Sequence, residues 1–197
     1  MCLLLETLKV CDGGFQHSRF HQERIDRSQS AHFKEYTKVC LQDIAIPVSP
    51  PSDIIKCRLL YGTTHIRTEF TPYEKKSIRR LRLIEANHLV YPFKYADRRA
   101  FDALLSGVGE NEEVIIVKNG KITDTSFSNL AFLSGNSWIT PATPLLRGTC
   151  RARLLQEGRI TEGEIRPEDL HRFRQVSLIN AMLDLGELNL PVREIFR

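Results

Sequence analysis

A helix start that could bind a phosphate group is the clearest chemical pattern in the sequence. Gly148–Arg151 (GTCR) follows a loop containing Pro141 and Pro144 and opens a predicted helix that stops at Gly158. Backbone N–H groups and the positive end of the helix dipole attract phosphate at such a position. Glycine lets a ligand approach the backbone closely, and threonine adds a hydroxyl donor. A simple threonine N-cap is the commoner role of this motif, so the pattern alone leaves both interpretations open.

Strands and helices in the second half of the chain must position this helix start. The Asn119-Gly120 pair is the strongest hairpin signal in the sequence. The mixture of elements predicts an α/β domain. In chain order, the predicted elements are a helix over 94–105, strands over 113–118, 121–124, 129–133 and 137–140, helices over 148–158 and 167–173, a strand over 175–179 and a final helix or turn.

The first half of the chain is rich in strands and contains one helix, which is typical of a small α+β domain. Its predicted elements are a strand over 3–10, a turn over 12–14, a helix over roughly 19–38, a strand candidate over 39–46, a loop over 47–51, a hairpin over 54–71 and a strand over 77–85. We therefore expect two domains, 1–88 and 95–197, joined by a junction over 89–94.

Composition argues against several classes of protein. The 197 residues carry a formal net charge of +4 and are 26% charged with both signs interspersed, so nucleic-acid binding is not expected. The opening MCLLLETLKV is short and interrupted by Glu6, so neither a membrane span nor a signal peptide is expected. The five cysteines are an odd number without a CxxC pair, which argues against a metal site or a disulfide scaffold and favours the reducing cytoplasm.

Five sequence blocks stand in a characteristic order: FKYADR (93–98), ITDTSFSNL (122–130), WITP (138–141), PLLRGTCR (144–151) and LINAM (178–182). Together they resemble the class IV aminotransferases, enzymes of fold type IV that use pyridoxal 5′-phosphate (PLP) and include D-amino-acid and branched-chain aminotransferases and aminodeoxychorismate lyase. LET (5–7) and HQER (21–24) resemble the family's opening strand and its H-x-x-R segment. The resemblance implies a homodimer of α/β (α+β) chains with two domains each and an active site in the interdomain cleft.

Lys94 and Asp124 are the residues that the resemblance makes central. Lys94 matches the family's Schiff-base lysine, whose neutral amine attacks the PLP aldehyde and which then carries a proton at the substrate's Cα. Asp124 matches an acidic residue, often glutamate, that keeps the pyridine nitrogen protonated. Leu146 matches a leucine that packs against the ring. Without the resemblance, Lys94 would be interpreted as a solvated lysine and Asp124 as a turn residue.

The resemblance assigns the cofactor's phosphate to three places. Arg24 of the H-x-x-R segment would bind it with the planar guanidinium group. Thr149 and Cys150 would present the N–H groups of the helix start. Asn180 and Ala181 match a further phosphate-binding loop. Cys150 and Ala181 stand where relatives often carry hydroxyl groups, so the side-chain donors expected there are weaker or absent.

The substrate is expected to be a small amino-acid-like molecule. Arg67, on a predicted strand, is a candidate for binding its carboxylate, and Leu5 stands where some relatives place an active-site tyrosine. Two reactions fit: transamination between an amino acid and a 2-oxo acid, or conversion of aminodeoxychorismate to 4-aminobenzoate and pyruvate. The departures at Asp124, Cys150 and Ala181 leave a third interpretation, a PLP-fold binding protein with weakened catalysis.

Overall fold

The computed structural model describes residues 3–48 and 54–197, which form two compact units. The loop predicted over 47–51 lies partly outside these residues, and so does Cys2. No helix in the described part of the chain is long and apolar enough to cross a membrane. The cysteines within it are free thiols: Cys11, Cys40, Cys57 and Cys150.

The first unit comprises the described residues up to Lys75 together with Phe93–Asp97. Its elements are β1 (Leu4–Cys11), β2 (Gly14–Phe15), α1 (Ser18–His32), a 3-10 turn (Leu41–Asp43), β3 (Ile55–Tyr61) and β4 (Ile66–Pro72). The strands form one antiparallel sheet in the order β2-β1-β3-β4. Alternate residues of β3 are buried, as expected for a strand with one face on a core. The core combines apolar side chains of β1 and β3 with Ile25 of α1.

The helix predicted over 19–38 ends earlier, at His32, and the segment that follows forms no strand. Side chains of Gln22 and Gln29 on α1 hydrogen-bond backbone N–H and C=O groups of that segment. Because these side chains satisfy the backbone groups, the segment can stay irregular. It neither continues the helix to residue 38 nor forms the strand considered over 39–46.

The second unit comprises Lys76–Pro92 and Arg98–Arg197. Its elements are β5 (Arg80–Glu85), α2 (Arg99–Leu104), β6 (Glu112–Lys118), β7 (Lys121–Thr125), β8 (Asn129–Ser134), β9 (Ser137–Pro141), α3 (Thr149–Gln156), β10 (Thr161–Gly163), a 3-10 helix (Pro167–Arg172), β11 (Gln175–Ile179), β12 (Asn189–Pro191), a 3-10 turn (Val192–Glu194) and β13 (Ile195–Phe196). The sheet order is β10-β9-β8-β7-β6-β5-β13, and β11 pairs with both β8 and β12.

The division of the chain differs from the boundary expected near residue 88. β5 pairs in parallel with β6 along its whole length, so residues 76–92 cluster with the second unit. Phe93–Asp97 clusters with the first unit. The chain therefore passes from the first unit to the second, returns to the first for five residues and then enters the second again. No change of composition in the sequence marks these crossings.

The helix predicted over 94–105 is wrong in its first turn, because α2 begins only at Arg99. The carbonyl oxygen of Lys94 accepts a hydrogen bond from the backbone N–H of Leu5 at 2.8 Å. This bond ties the segment to β1, whose extended backbone a helical turn could not follow. Lys94 consequently lies in an irregular segment beside β1, and not at a helix start.

Candidate functional site

A buried carboxyl group on β7 is the centre of the candidate site in the second unit. Asp124 is 4% exposed. Its Oδ1 accepts a hydrogen bond from Asn129 Nδ2 at 2.7 Å, and its Oδ2 accepts one from the backbone N–H of Leu146 at 2.9 Å. Asn129 Nδ2 also donates to the Leu146 carbonyl oxygen at 2.8 Å. Pairing of β7 with β8 sets Asn129 opposite Asp124, so sheet register fixes the carboxyl group.

The environment of Asp124 brings its titration close to neutrality. Burial raises the pKa of Asp124 to about 6, although the Leu146 and Asn129 donors and the positive charge of Arg151 favour the ionised form. The carboxyl group is therefore mostly ionised at pH 7 and takes up a proton in mildly acidic solution. A buried carboxylate with this pKa can pair with a protonated ring nitrogen.

The pKa of Asp124 predicts a pH-dependent stability. Because its folded value of about 6 exceeds the ordinary 3.8, its contribution is fully present below about pH 4 and is lost as the pH rises through 6. Asp124→Asn removes this titration. The destabilisation caused by Asp124→Asn should therefore be larger at pH 4 than at pH 7, by roughly 2 kcal/mol. Urea denaturation of both proteins across this range measures the difference, and a pH-independent difference would contradict the assignment.

Helix α3 begins where the sequence predicts phosphate binding. Gly148 is its N-cap and Thr149 its first residue, and no side-chain hydrogen bond caps it among the described residues. The threonine N-cap interpretation is therefore wrong. Thr149 and Cys150 are both buried, whereas Gly148 is half-buried.

Gly148 is required by the closeness of Asn129. A Cβ atom at position 148 would lie 2.0 Å from Asn129 Oδ1, which no packing could accept without displacing the amide. We expect Gly148→Ala to lower the free energy of unfolding by about 1–3 kcal/mol, the usual cost of overpacking. Gly14→Ala is the matched control, because a Cβ there meets nothing within 4 Å. Equal stabilities of the two variants in urea denaturation would refute this prediction.

The turn after β11 contains the third predicted phosphate segment. Asn180 Oδ1 accepts hydrogen bonds from the backbone N–H groups of Met182 at 2.8 Å and Leu183 at 3.0 Å. Asn180 and Leu183 also form a backbone bridge. The Asn180 side chain is therefore used to close the turn, and Ala181 lies half-buried at its tip.

A buried ion pair holds the predicted phosphate arginine in the first unit. Arg24 on α1 donates from Nε to Glu6 Oε1 and from Nη2 to Glu6 Oε2, both at 2.6 Å. His21 Nδ1 lies 2.8 Å from Glu6 Oε2. Burial opposes ionisation of Glu6, which is fully buried, but Arg24 and His21 hold the pKa of that carboxyl far below its usual range.

Lys94 shares the electrostatic neighbourhood of Arg24. Burial lowers the pKa of His21, the Glu6 carboxylate opposes that shift, and the charges of both Arg24 and Lys94 add to it. The first unit therefore brings the predicted lysine and the predicted arginine to one histidine.

The two candidate substrate residues have different surroundings. Leu5 is buried on β1, opposite Leu60 of β3. Arg67 lies on β4, the edge strand, with its side chain 66% exposed and its Nη2 at 3.1 Å from Glu69 Oε1. The structure thus pairs Arg67 with a carboxylate of its own strand.

Two residues that organise the site were not predicted. Glu6 orients Arg24, and Asn129 orients Asp124. Glu6 does leave a signal, because a carboxylate inside the apolar run LLLETL needs a buried cation. Asn129 belongs to the ITDTSFSNL block (122–130), but its sequence position gives no indication that its amide bonds both Asp124 and Leu146.

Comparisons with known proteins agree with the mixed α/β fold. An uncharacterized protein of Haemophilus influenzae is 37% identical over 182 residues, which cover 91% of this chain and 97% of that protein. A candidate 4-amino-4-deoxychorismate lyase of Haemophilus somnus has a similar structure, with a TM-score of 0.82, 32% identity and coverage of 94% of this chain and 98% of that one. A candidate amino-acid aminotransferase of Mesorhizobium loti matches with a TM-score of 0.80, 22% identity and coverage of 96% and 99%.

The family itself is determined by sequence. Residues 66–195 match amino-transferase class IV, which is well over half of the chain. The relative from Haemophilus influenzae extends the likeness over nearly the whole length. The α/β fold that the sequence blocks imply is confirmed by the structural matches. This chain therefore belongs to the class IV aminotransferase family.

Proposed function

We propose that this chain is a PLP-dependent enzyme that transfers an amino group between a small amino-acid-like substrate and a 2-oxo acid, with the cofactor attached to Lys94. The observation that carries the proposal is the buried Asp124 carboxyl, held by Asn129 and Leu146, with a pKa of about 6. A carboxylate so placed is the partner that a protonated pyridine nitrogen needs.

The residues of this chain fit the ring end of the cofactor. A carboxylate offers about four acceptor positions, so the bonds from Asn129 and Leu146 leave Asp124 room for a donor from the ring. Bound PLP supplies an electron sink for negative charge developing at the substrate's Cα. The Asp124 carboxylate would accept a hydrogen bond from the protonated ring nitrogen, and the Leu146 side chain would pack on the ring. Lys94 Nζ would take the proton from Cα and return it.

The phosphate end of the cofactor is proposed to meet donors from three segments. Arg24 would contact it through the guanidinium group, which Glu6 holds in place through Nε and Nη2. Thr149 and Cys150 would contribute N–H groups along the dipole of α3. Asn180 and Ala181 would contribute backbone N–H groups, since the Asn180 side chain closes its own turn.

A second reaction, lyase chemistry, is favoured by one specific observation. The structural match that shares 32% identity with this chain is described as a candidate 4-amino-4-deoxychorismate lyase. The same lysine and carboxylate serve both reactions, because both begin with removal of a proton from Cα. The products would differ: the lyase reaction would release pyruvate and 4-aminobenzoate, whereas transamination would pass the amino group of the first substrate to a 2-oxo acid.

A pair of assays separates these functions. The PLP-loaded protein is supplied with a panel of amino acids and 2-oxo acids, and amino exchange is followed by chromatography. In parallel it is supplied with aminodeoxychorismate, and pyruvate release is followed. We expect amino exchange. Pyruvate release without exchange would assign the lyase reaction, and PLP uptake with neither product would assign a binding protein. A wild-type protein that takes up no PLP would overturn the proposal.

Substrate binding and setting complete the proposal. Arg67 would bind a substrate carboxylate, and Leu5 would line the substrate side of the cofactor. We further propose that the chain forms a homodimer. We also propose that it works in a reducing cytoplasm, and the four free thiols in the described part of the chain support that compartment. Sedimentation of the PLP-loaded protein measures the oligomeric state.

A further inference from the structure

A buried arginine on α3 lies outside the roles proposed so far. The side chain of Arg153 is 7% exposed. Its Nη1 donates to both carboxylate oxygens of Glu157, at 3.0 and 2.8 Å, and its Nη2 donates to Asp184 Oδ1 at 2.7 Å. Its buried Nε has no hydrogen-bond partner among the described residues. Burying a guanidinium group costs free energy, so the burial of Arg153 indicates a role beyond formation of the helix.

Arg153 and Cys150 both reach the turn that follows β11. They stand three residues apart, which places them on one face of α3. The Cys150 thiol donates to the Leu183 carbonyl oxygen at 3.7 Å, and Arg153 Nη2 lies 3.8 Å from Cys150 Sγ. Burial raises the pKa of the Cys150 thiol to about 11, so the thiol keeps its proton and remains a donor at neutral pH.

The C-terminal end of the turn over residues 180–184 is also held in place. Asp184 Oδ1 accepts a second hydrogen bond, from the backbone N–H of Leu185 at 2.7 Å. Asn180 closes the near end of the same turn through the N–H groups of Met182 and Leu183. Residues 180–184 are therefore held at one end by their own side chains and at the other by α3.

We infer that Cys150 and Arg153 are positioning residues that fix the 180–184 turn against the first turn of α3. The inference rests on the proposed function, which assigns the cofactor's phosphate to these two backbone segments. Their N–H groups can serve one phosphate only if their separation is constant. The side chain of Cys150 thus acts on the turn, and only its backbone N–H is assigned to the phosphate.

Equilibrium binding of PLP and of pyridoxal, which lacks the phosphate, tests the inference. Arg153→Met keeps the volume of the side chain and removes its bonds to Asp184 and Glu157. We expect its dissociation constant for PLP to rise about tenfold or more, with pyridoxal affinity unchanged. Loss of a residue that orients a metal ligand has an effect of this size. Cys150→Ala should show a smaller change in the same direction, and Cys150→Ser should retain wild-type affinity. Arg159→Met is the control, because Arg159 is 44% exposed and lies 3.8 Å from Asp184.

Equal losses of PLP and pyridoxal affinity, or no loss in either variant, would overturn the inference. Hydrogen exchange of the Met182 and Leu183 amides provides a readout that needs no cofactor. We expect faster exchange in Arg153→Met and Cys150→Ala than in wild type or Arg159→Met, and unchanged exchange would also overturn the inference. If wild type takes up no PLP, the proposed function fails, whereas the exchange result still decides whether α3 holds the turn.

Discussion

Lys94→Ala is expected to lower the rate of amino transfer by at least about a thousandfold in the PLP-loaded protein. The variant loses both the amine that attaches the cofactor and the group that moves the proton at the substrate's Cα, and proton transfer alone contributes about 10²–10⁴. The decrease should appear in kcat, because substrate contacts are left in place.

Lys34→Ala is the matched control for this change. Lys34 is an exposed lysine in the same unit, and no catalytic role is assigned to it. The control should keep wild-type rates. A Lys94→Ala protein that retains more than a tenth of the wild-type rate would contradict the role of Lys94.

Glu6→Ala is expected to destabilise the chain by about 3–5 kcal/mol, because it leaves the buried Arg24 guanidinium without its carboxylate. The pKa of Glu6 is lowered in the folded state, so its contribution is present at neutral pH and decreases as the pH falls below the ordinary carboxyl range. Urea denaturation at pH 7 measures the effect.

Glu23→Ala provides the comparison for Glu6→Ala. Glu23 pairs with Arg19 on the surface of α1, with exposed side-chain fractions of 56% and 69%. An exposed pair of this kind contributes about 0–1 kcal/mol. Equal losses in the two variants would show that the Glu6–Arg24 pair is not the buried charge cluster described above.

Local sequence signals predicted most of the sheet. The strand over Gln175–Ile179 has the predicted bounds, and the hairpin between β6 and β7 turns at Asn119 and Gly120, whose φ angles of 52° and 73° are the positive values that this turn requires. The helix over 148–158 is confirmed as α3. These elements are set by residues close in sequence, so their patterns could be recognised without tertiary information.

Contacts between distant residues account for the errors. The backbone of Lys94 bonds to Leu5, about 90 residues away, and this pairing replaces the first turn of the predicted helix. Parallel pairing of β5 with β6 moves residues 76–92 into the second unit. The helix predicted over 167–173 is a 3-10 helix, a distinction that periodicity over six residues cannot make.

The candidate site shows the same limit. Asp124 and Gly148 stand in recognisable blocks, but their surroundings depend on Asn129, whose amide bridges Asp124 and Leu146. Arg24 was predicted to bind phosphate, and the structure adds that Glu6 holds its guanidinium group. Motifs thus identify residue types, whereas orientation and pKa arise from pairings made only in the folded chain.

The attachment of PLP to Lys94 can be tested directly by mass spectrometry. PLP-loaded wild-type protein is reduced with borohydride, digested and mapped, alongside Lys94→Ala treated in the same way. We expect the reduced cofactor on the peptide that contains Lys94 in wild type and on no peptide of the variant. A cofactor adduct on another lysine of wild type, or an equal adduct in Lys94→Ala, would contradict the assignment of Lys94 as the attachment site.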